Sequence, residues 1–256
     1  MRENQIIKRI INLGSSSEGN AFYIEINREG YVKPFGLLIE CGFPYENLTK
    51  KLLNNGVSVN DINAVIVTHE HNDHSQSVKD LINAGSRVFA PMSVFIHHNV
   101  LEKVEKRNII TEFVEKVIGD QIKVLGIPLN HISSNGEVCY NLGYIITIND
   151  SFRIAFFTDT KQIDWDLSNF QFDIIFIEAN NKTLILKFGL KNAEKNHNMG
   201  KVAQYKRVLQ SHMTVERTGK TLQTFDLSKT KVIFLTHLTS DRKKNEREFI
   251  QIVKDY

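Results

Sequence analysis

The segment Thr68-His69-Glu70-His71-Asn72-Asp73-His74 places four side chains able to bind a metal ion within six residues. Neutral imidazole offers a nitrogen lone pair and carboxylate an oxygen, the donors that hold zinc and other first-row divalent ions. His69 and His71 are two residues apart, so along an extended chain they project to the same side. Where the chain turns into a helix, Asp73 and His74 swing toward a second position beside the first. The pattern thus offers two nitrogens to one ion, and a carboxylate and a nitrogen to another. The competing reading, a solvated loop, leaves four crowded ligand groups with no cation to offset them.

Such residues need elements to carry them. Four short apolar runs, Ile62–Val67, Ile154–Phe157, Ile174–Ile177 and Val232–Leu235, are unbroken and rich in β-branched or aromatic residues, the pattern of strands buried on both faces. They end at Thr68-His69, Thr158-Asp159, Glu178-Ala179 and Thr236-His237. In α/β sheets the carboxyl ends of the strands carry the site, because the loops there converge on one crevice. Helical spacing predicts helices around Leu48 and Leu52, around Val78, Leu81 and Ile82, around Val100, Leu101 and Val104, and around Phe249, Ile252 and Val253. Consecutive strands are expected over Ile6–Ile26 and Gln121–Ile148, the latter with a turn at Ser134-Asn135-Gly136. The expectation is an α/β fold of layered sheets flanked by helices.

With 256 residues and 41% apolar content, the chain can bury a sizeable core, and the default is one domain over 1–256. The 32 Lys and Arg against 29 Asp and Glu give a formal charge of +3, too little to advertise a nucleic-acid surface. No apolar run approaches the roughly 20 residues that span a bilayer. No export signal follows Met1, so a cytoplasmic location without membrane partners is expected. Cys41 and Cys139 are far apart and read as buried thiols in a reducing compartment.

The His-x-His-x-Asp-His signature resembles that of the metallo-β-lactamase-fold hydrolases. His131 after the strand Ile122–Pro128, Asp159 in Phe157-Thr158-Asp159-Thr160 and His237 in Leu235-Thr236-His237-Leu238-Thr239 are similar to that family's later ligands. The resemblance implies a four-layer αββα sandwich of two mixed β-sheets flanked by helices. It also implies two metal ions, with His69, His71 and His131 on one, Asp73, His74 and His237 on the other, and Asp159 between them. Leu13-Gly14-Ser15-Ser16-Ser17-Glu18-Gly19-Asn20, Glu178-Ala179-Asn180 and Tyr205-Lys206-Arg207 ahead of Ser211-His212-Met213-Thr214 look like the WalJ-type, exonuclease-like subgroup. The pairing of His212-Met213-Thr214 with Thr236-His237-Leu238-Thr239 is similar to tRNase Z enzymes. Glu40 stands where the family generally has aspartate, and its extra methylene is expected to disturb support of the site. Only 77 residues separate Asp159 from His237, too few for the β-CASP insertion of some nucleases.

Two ions about 3.5 to 4 Å apart can neutralise a phosphodiester and stabilise an in-line displacement. Zinc is the expected metal, with manganese, iron and cobalt also suiting mixed nitrogen and carboxylate ligands. Asp73, as a ligand, and His212, as the acid that protonates the departing oxygen, are the catalytic candidates; position 156, where tRNase Z would carry the acidic partner of His212, is Phe156. Ser16, Asn20, Asn180 and Thr214 are candidate substrate contacts, turn-making being the competing role. His97, His98 and His197 read as surface histidines and Cys41 as a packing residue.

The implied activity is a dinuclear-metal phosphodiesterase acting on nucleotide phosphodiester bonds. The near-neutral charge favours a small cyclic nucleotide as substrate. A WalJ-like DNA exonuclease or tRNase Z-like RNA nuclease is the alternative, with a thioester or lactone hydrolase, or an inactive binding protein, behind them. The partner is the nucleotide or nucleic-acid substrate, and a homodimer is compatible with the sequence.

Overall fold

The structure, a computed structural model, describes residues 5–132, 136–238 and 242–256, the last span as backbone alone over 242–245. The expected turn residues Ser134 and Asn135, and Thr239, lie outside the described residues. Two compact units are present, one of Met1–Gly126 with Tyr144–Phe152, the other of Ile127–Gly143 with Arg153–Tyr256.

The first unit holds a five-stranded sheet of β1 (Ile7–Ser16), β2 (Gly19–Ile26), β3 (Phe35–Ile39), β4 (Ile62–Ile66) and β5 (Val88–Phe89), in that spatial order. β1, β2 and β3 are antiparallel, whereas β3, β4 and β5 run parallel. The parallel strands are joined through α1 (Tyr45–Asn54) and through α2 (Asn72–Ser75) and α3 (Val78–Asn83), with α4 (Met92–His97) following β5. Leu48 and Leu52, one turn apart on α1, are fully buried. They join Val78 and Leu81 of α3 and Phe95 of α4 in one cluster with Tyr23, Leu38, Val65 and Val67 of the sheet region. Each such aliphatic side chain contributes about 1.5–3 kcal/mol by leaving water.

A six-stranded sheet follows, from β6 (Glu115–Gly119), β7 (Ile122–Ile132), β8 (Val138–Ile148), β9 (Phe152–Phe157), β10 (Ile174–Glu178) and β11 (Val232–Thr236), in the order β11-β10-β9-β8-β7-β6. The chain passes between the two units within β7 and β8 and near the start of β9. β9, β10 and β11 are parallel, and β6 pairs antiparallel with β7, so this sheet too is mixed. In the second unit α5 (Thr183–Lys195), α6 (Met199–Ser211) and α7 (Val215–Leu222) follow β10, and α8 (Arg242–Asp255) follows β11. Ala179, Val215 and Phe249 form a buried cluster with Leu235, Ile252 and Val253 packed against it. Among the described residues no helix is long and apolar enough to cross a membrane.

Two local expectations are corrected. Val100, Leu101 and Val104 do not form an α-helix: α4 ends at His97, Asn99 takes a left-handed φ of 53°, and Leu101–Lys103 is a single 3₁₀ turn. Their spacing reflects burial of Val100, not continuing helix. β11 is not buried on both faces, because it is the edge of its sheet and Val232 is 42% exposed. An unbroken apolar run does not distinguish an edge strand from a central one.

Candidate active site

In the first unit the metal-ligand motif begins just past β4. His69 and His71 lie in the loop, and Asp73 and His74 fall on the single turn of α2. Although the strand has ended, the two loop imidazoles converge, with His69 Nε2 3.1 Å from His71 Nδ1. His74 Nε2 lies 3.4 Å from Asp73 Oδ2.

The loop after β3 fixes that turn from behind. Cys41 N donates to His74 O at 2.8 Å, Gly42 N to Asn20 O at 2.9 Å, and Ser77 N to Cys41 O at 3.0 Å. Gly42 has to be glycine, since a Cβ there would overlap the Asp73 carbonyl. Asn20, buried, gives its Nδ2 to Ser16 O at 3.0 Å and Asp73 O at 3.1 Å, and it sits 3.2 Å from His74 Nε2. Ser16 Oγ accepts from Glu18 N within the β1–β2 turn. Glu40 is wholly buried behind His74: its Oε2 is 3.6 Å from His74 Nδ1, and Thr68 N donates to its two oxygens at 3.3 and 3.4 Å. Burial pushes the Glu40 carboxyl up, with His74 and Thr68 acting against that rise. Its backbone is left-handed, φ 64°. Cys41 is buried, and burial pushes its thiol up, so it packs without reacting.

In the second unit His131 comes from the end of β7, Asp159 from just beyond β9 and His237 from just beyond β11. The Asp159 carboxylate faces an imidazole with each oxygen: Oδ2 is 3.8 Å from His131 Nε2 and Oδ1 is 3.4 Å from His237 Nε2. Asp159 and His237 both have left-handed backbones, φ 51° and 50°. Asn141, buried on β8, holds the first of these turns by donating to Thr158 O at 3.0 Å and Asp159 O at 2.9 Å. Asn180 holds the second by donating to His237 O at 3.0 Å. Thr214 is buried as the N-cap of α7, with its hydroxyl accepting from Thr183 Oγ1 at 2.9 Å.

Glu178, the last residue of β10, is fully buried and was given no chemical role from sequence. Its Oε1 lies 2.7 Å from His212 Nδ1 and 3.0 Å from His237 Nδ1, while Thr160 N and Met213 N donate to Oε2 at 3.0 and 3.3 Å. Burial alone would push this carboxyl up, yet the His212 and His237 imidazoles hold it below the usual carboxylate range. An ionised carboxylate only accepts, so both Nδ1 atoms carry their protons and both Nε2 atoms are left for other work. The acidic partner of His212 is therefore present, on the strand beside β9. Phe156, at the position where sequence reasoning sought it, is a core residue whose ring lies 5.8 Å from that of Phe176. The signal was legible: a single carboxylate closing an otherwise apolar strand.

Within each unit the spacing of the donor atoms fits metal ligation. Two ligands of a tetrahedral zinc, each at 2.0–2.1 Å, sit about 3.3 Å apart. The His69–His71, Asp73–His74 and Asp159–His237 pairs, at 3.1, 3.4 and 3.4 Å, have that spacing. The opposite ring nitrogens face oxygen: His69 Nδ1 lies 2.9 Å from Thr68 Oγ1 and His237 Nδ1 3.0 Å from Glu178, with His74 Nδ1 farther off, 3.6 Å from Glu40. Carboxylate or hydroxyl behind a ligating imidazole fixes its tautomer and raises its basicity. Of the other histidines, His97 and His197 are exposed as expected. His98 is not a surface residue: it is half-buried, with Nε2 2.8 Å from Ser75 Oγ.

Residues 37–238 match the family described as Beta-lactamase superfamily domain, and the chain belongs to that family. The metallo-β-lactamase-fold protein YhfI of Bacillus subtilis is similar at TM-score 0.64 and 14% identity, over 95% of this chain and 91% of YhfI. The short form of human tRNase Z is similar at TM-score 0.60 and 16% identity, over 91% of this chain and 93% of that one. These likenesses show the fold, two mixed sheets flanked by helices as anticipated. The exodeoxyribonuclease WalJ of Streptococcus pneumoniae (serotype 2, strain D39) is 33% identical over 66 residues, 26% of this chain. That stretch spans 22%, about a fifth, of the curated relative's length.

Proposed function

We propose that this chain is a cytoplasmic metal-dependent phosphodiesterase that hydrolyses nucleotide phosphodiester bonds, acting as one catalytic domain. The observation that carries the reading is the Glu178–His212 pair at 2.7 Å. A buried carboxylate holds one imidazole in a fixed orientation through Nδ1, which proton transfer at Nε2 requires. In this reading His69, His71 and His131 hold one divalent ion and Asp73, His74 and His237 the other, with Asp159 on both. Family membership and the donor spacing inside each unit support that assignment. Two divalent ions, zinc first among the candidates, would supply Lewis-acid activation of the phosphoryl group and of the attacking water. With Asp73 and Asp159 as its only anionic ligands, such a site is net positive and attracts a diester.

The chain's own residues do the rest. Glu178 orients His212 by accepting from its Nδ1–H, and the imidazolium form of His212, which carries a proton on both nitrogens, delivers the Nε2 proton to the departing oxygen and keeps the one on Nδ1. Glu40 and Glu178 aim His74 and His237 from behind. The test is a comparison of leaving groups: His212→Ala should lower turnover by about 10²- to 10⁴-fold on a nucleoside leaving group and far less on p-nitrophenolate, which needs no proton. Equal losses on both would overturn the role of His212.

For substrate size, the small formal charge of +3 favours a cyclic mononucleotide. The likeness to an exodeoxyribonuclease favours a second reading, DNA. Salt separates them: a polymer gripped through several phosphates loses affinity with a log–log slope of about 0.7–0.9 per phosphate, whereas a cyclic mononucleotide shows a shallow slope. DNA breakdown with a steep slope, and cyclic nucleotides left intact, would replace the first reading by the second.

A further inference from the structure

The three parallel strands of the first unit also have amino ends, and a cavity of about 530 Å³ opens there. Phe35 begins β3, Asn63 follows the first residue of β4, and Arg87 directly precedes β5; all three line it. Glu40 and His69 follow the opposite ends of β3 and β4. Five residues of strand at about 3.3 Å each put roughly 16 Å of sheet between the two ends.

We propose that this cavity is a second ligand site that binds a phosphate group carried by a nucleotide. It is independent of the phosphodiesterase reading.

Arg28, Arg87 and Lys116 line the cavity. Among the described residues none of the three forms an ion pair with a carboxylate. The Arg87 guanidinium is held in place by carbonyls, Nη2 donating to Ile118 O at 3.0 Å and Nε to Asn63 O at 3.4 Å, which position the cation without neutralising it. Arg28 lies over the Tyr31 ring at 3.9 Å and near Phe35 at 5.1 Å, and its Nε is buried without a hydrogen-bond partner. Of the remaining charges of the lining, Arg107 pairs with Glu105 at 2.8 Å and Glu115 with Lys123 at 3.5 Å, while Asp120 accepts from the neutral Tyr31 hydroxyl and keeps its charge, one anion against the three cations Arg28, Arg87 and Lys116. Fixed guanidiniums lacking a counter-charge present planar forks of N–H donors that can bind two oxygens of a tetrahedral phosphate at once. The volume exceeds that of inorganic phosphate and lies in the range of small-molecule sites, with the Phe35 and Phe89 side chains as apolar lining. That leaves room for the remainder of a nucleotide.

Residue-resolved arginine labelling tests this. Purified protein is treated with phenylglyoxal, and the modified positions are read by peptide mass mapping, with pyrophosphate, AMP, oligothymidylate or succinate present. Pyrophosphate and AMP should protect Arg28 and Arg87 while leaving the exposed Arg247 reactive, and succinate should not. Protection by oligothymidylate alone would assign the phosphate to a polymer backbone and still support the site. No protection by any phosphate compound, or equal protection by succinate, would overturn it. The protection should persist in His69→Ala/His71→Ala protein, which separates it from phosphate bound at the proposed metal centre. Arg28→Gln should weaken AMP binding about tenfold or more by calorimetry, with turnover of an aryl phosphodiester unchanged. Because Arg28 is only partly buried, that variant avoids the structural role Arg87 plays at Ile118.

Discussion

Replacing Glu178 by glutamine isolates the one carboxylate on which the proton-transfer argument rests. The buried side chain gathers four N–H groups: His212 Nδ1 at 2.7 Å, His237 Nδ1 and Thr160 N at 3.0 Å, and Met213 N at 3.3 Å. Glutamine preserves the shape but offers one oxygen and an NH₂ that must point at other donors. Turning the amide oxygen to the histidines strands the two backbone N–H groups, and the reverse turn frees His212 to adopt the wrong tautomer. Removing an orienting carboxylate of this kind lowers turnover by up to about 10⁴-fold, and a general acid is worth about 10²- to 10⁴-fold, so a loss of roughly 3–5 kcal/mol in transition-state stabilisation is expected.

The assay is kcat on a nucleoside leaving group at saturating metal, with metal content measured in parallel because Glu178 also touches His237. If Glu178 acts through His212, the Glu178→Gln/His212→Ala double variant should be no slower than His212→Ala by more than about threefold, since residues acting as a unit are non-additive. Multiplicative losses at equal metal content would refute the dyad. Unfolding in urea provides the control, as breaking a buried charged pair costs stability of its own, about 3–5 kcal/mol.

His69→Ala with His71→Ala should leave a folded chain holding at most one of two ions by elemental analysis, with activity lost; full metal content and turnover indifferent to chelators would refute the ligand assignment. Gly42→Ala should reduce metal content and lower Tm together, because the added Cβ displaces the Asp73 carbonyl; wild-type values of both would show that the loop yields at no cost. His98 gives a pH dependence of stability. Burial, with His97 beside it, pushes its pKa down to about 4, so between about 4 and the unfolded value near 6.5 the unfolded chain binds more protons. Stability is then complete above about pH 6.5 and declines as the pH falls toward 4, and His98→Asn should flatten that decline in denaturant titrations. An unchanged acid limb would show that His98 titrates normally.

The His and Asp cluster was legible in the sequence because donor residue types at close spacing stand out, and His69, His71, Asp73 and His74 fall within six residues. The strands ahead of Asp159 and Glu178 were legible for a different reason: buried parallel strands are short, apolar and rich in β-branched or aromatic residues. What stood outside the sequence was everything that depends on neighbours across a sheet. Glu178 reaches His212 because β10 pairs with β9 in a register that sets Ile177 beside Phe157, and no spacing along the chain states that register. His98 was misjudged for the same reason, since its partner Ser75 comes from another segment. The edge position of β11 depends on which strand lacks a neighbour.

Backbone strain is the other part that residue type alone does not reveal. Glu40, Asp159 and His237 each follow a strand and each adopt a φ between 50° and 64°, a region costly for residues with a Cβ. Glycine would relieve the cost, of order 1–3 kcal/mol per residue, but would delete the functional group. The surroundings hold these conformations by naming the backbone on either side: Asn141 binds the carbonyls of Thr158 and Asp159, Asn180 that of His237, and Glu40 N donates to Ile66 O at 2.9 Å. The two asparagines therefore hold the backbone turns that aim the Asp159 and His237 side chains. A strand would send successive side chains to opposite faces, whereas a left-handed residue at its end turns the chain sharply and frees the side chain from that alternation. That is how Asp159 comes to present one oxygen to His131 and the other to His237 from a position just beyond the buried end of β9.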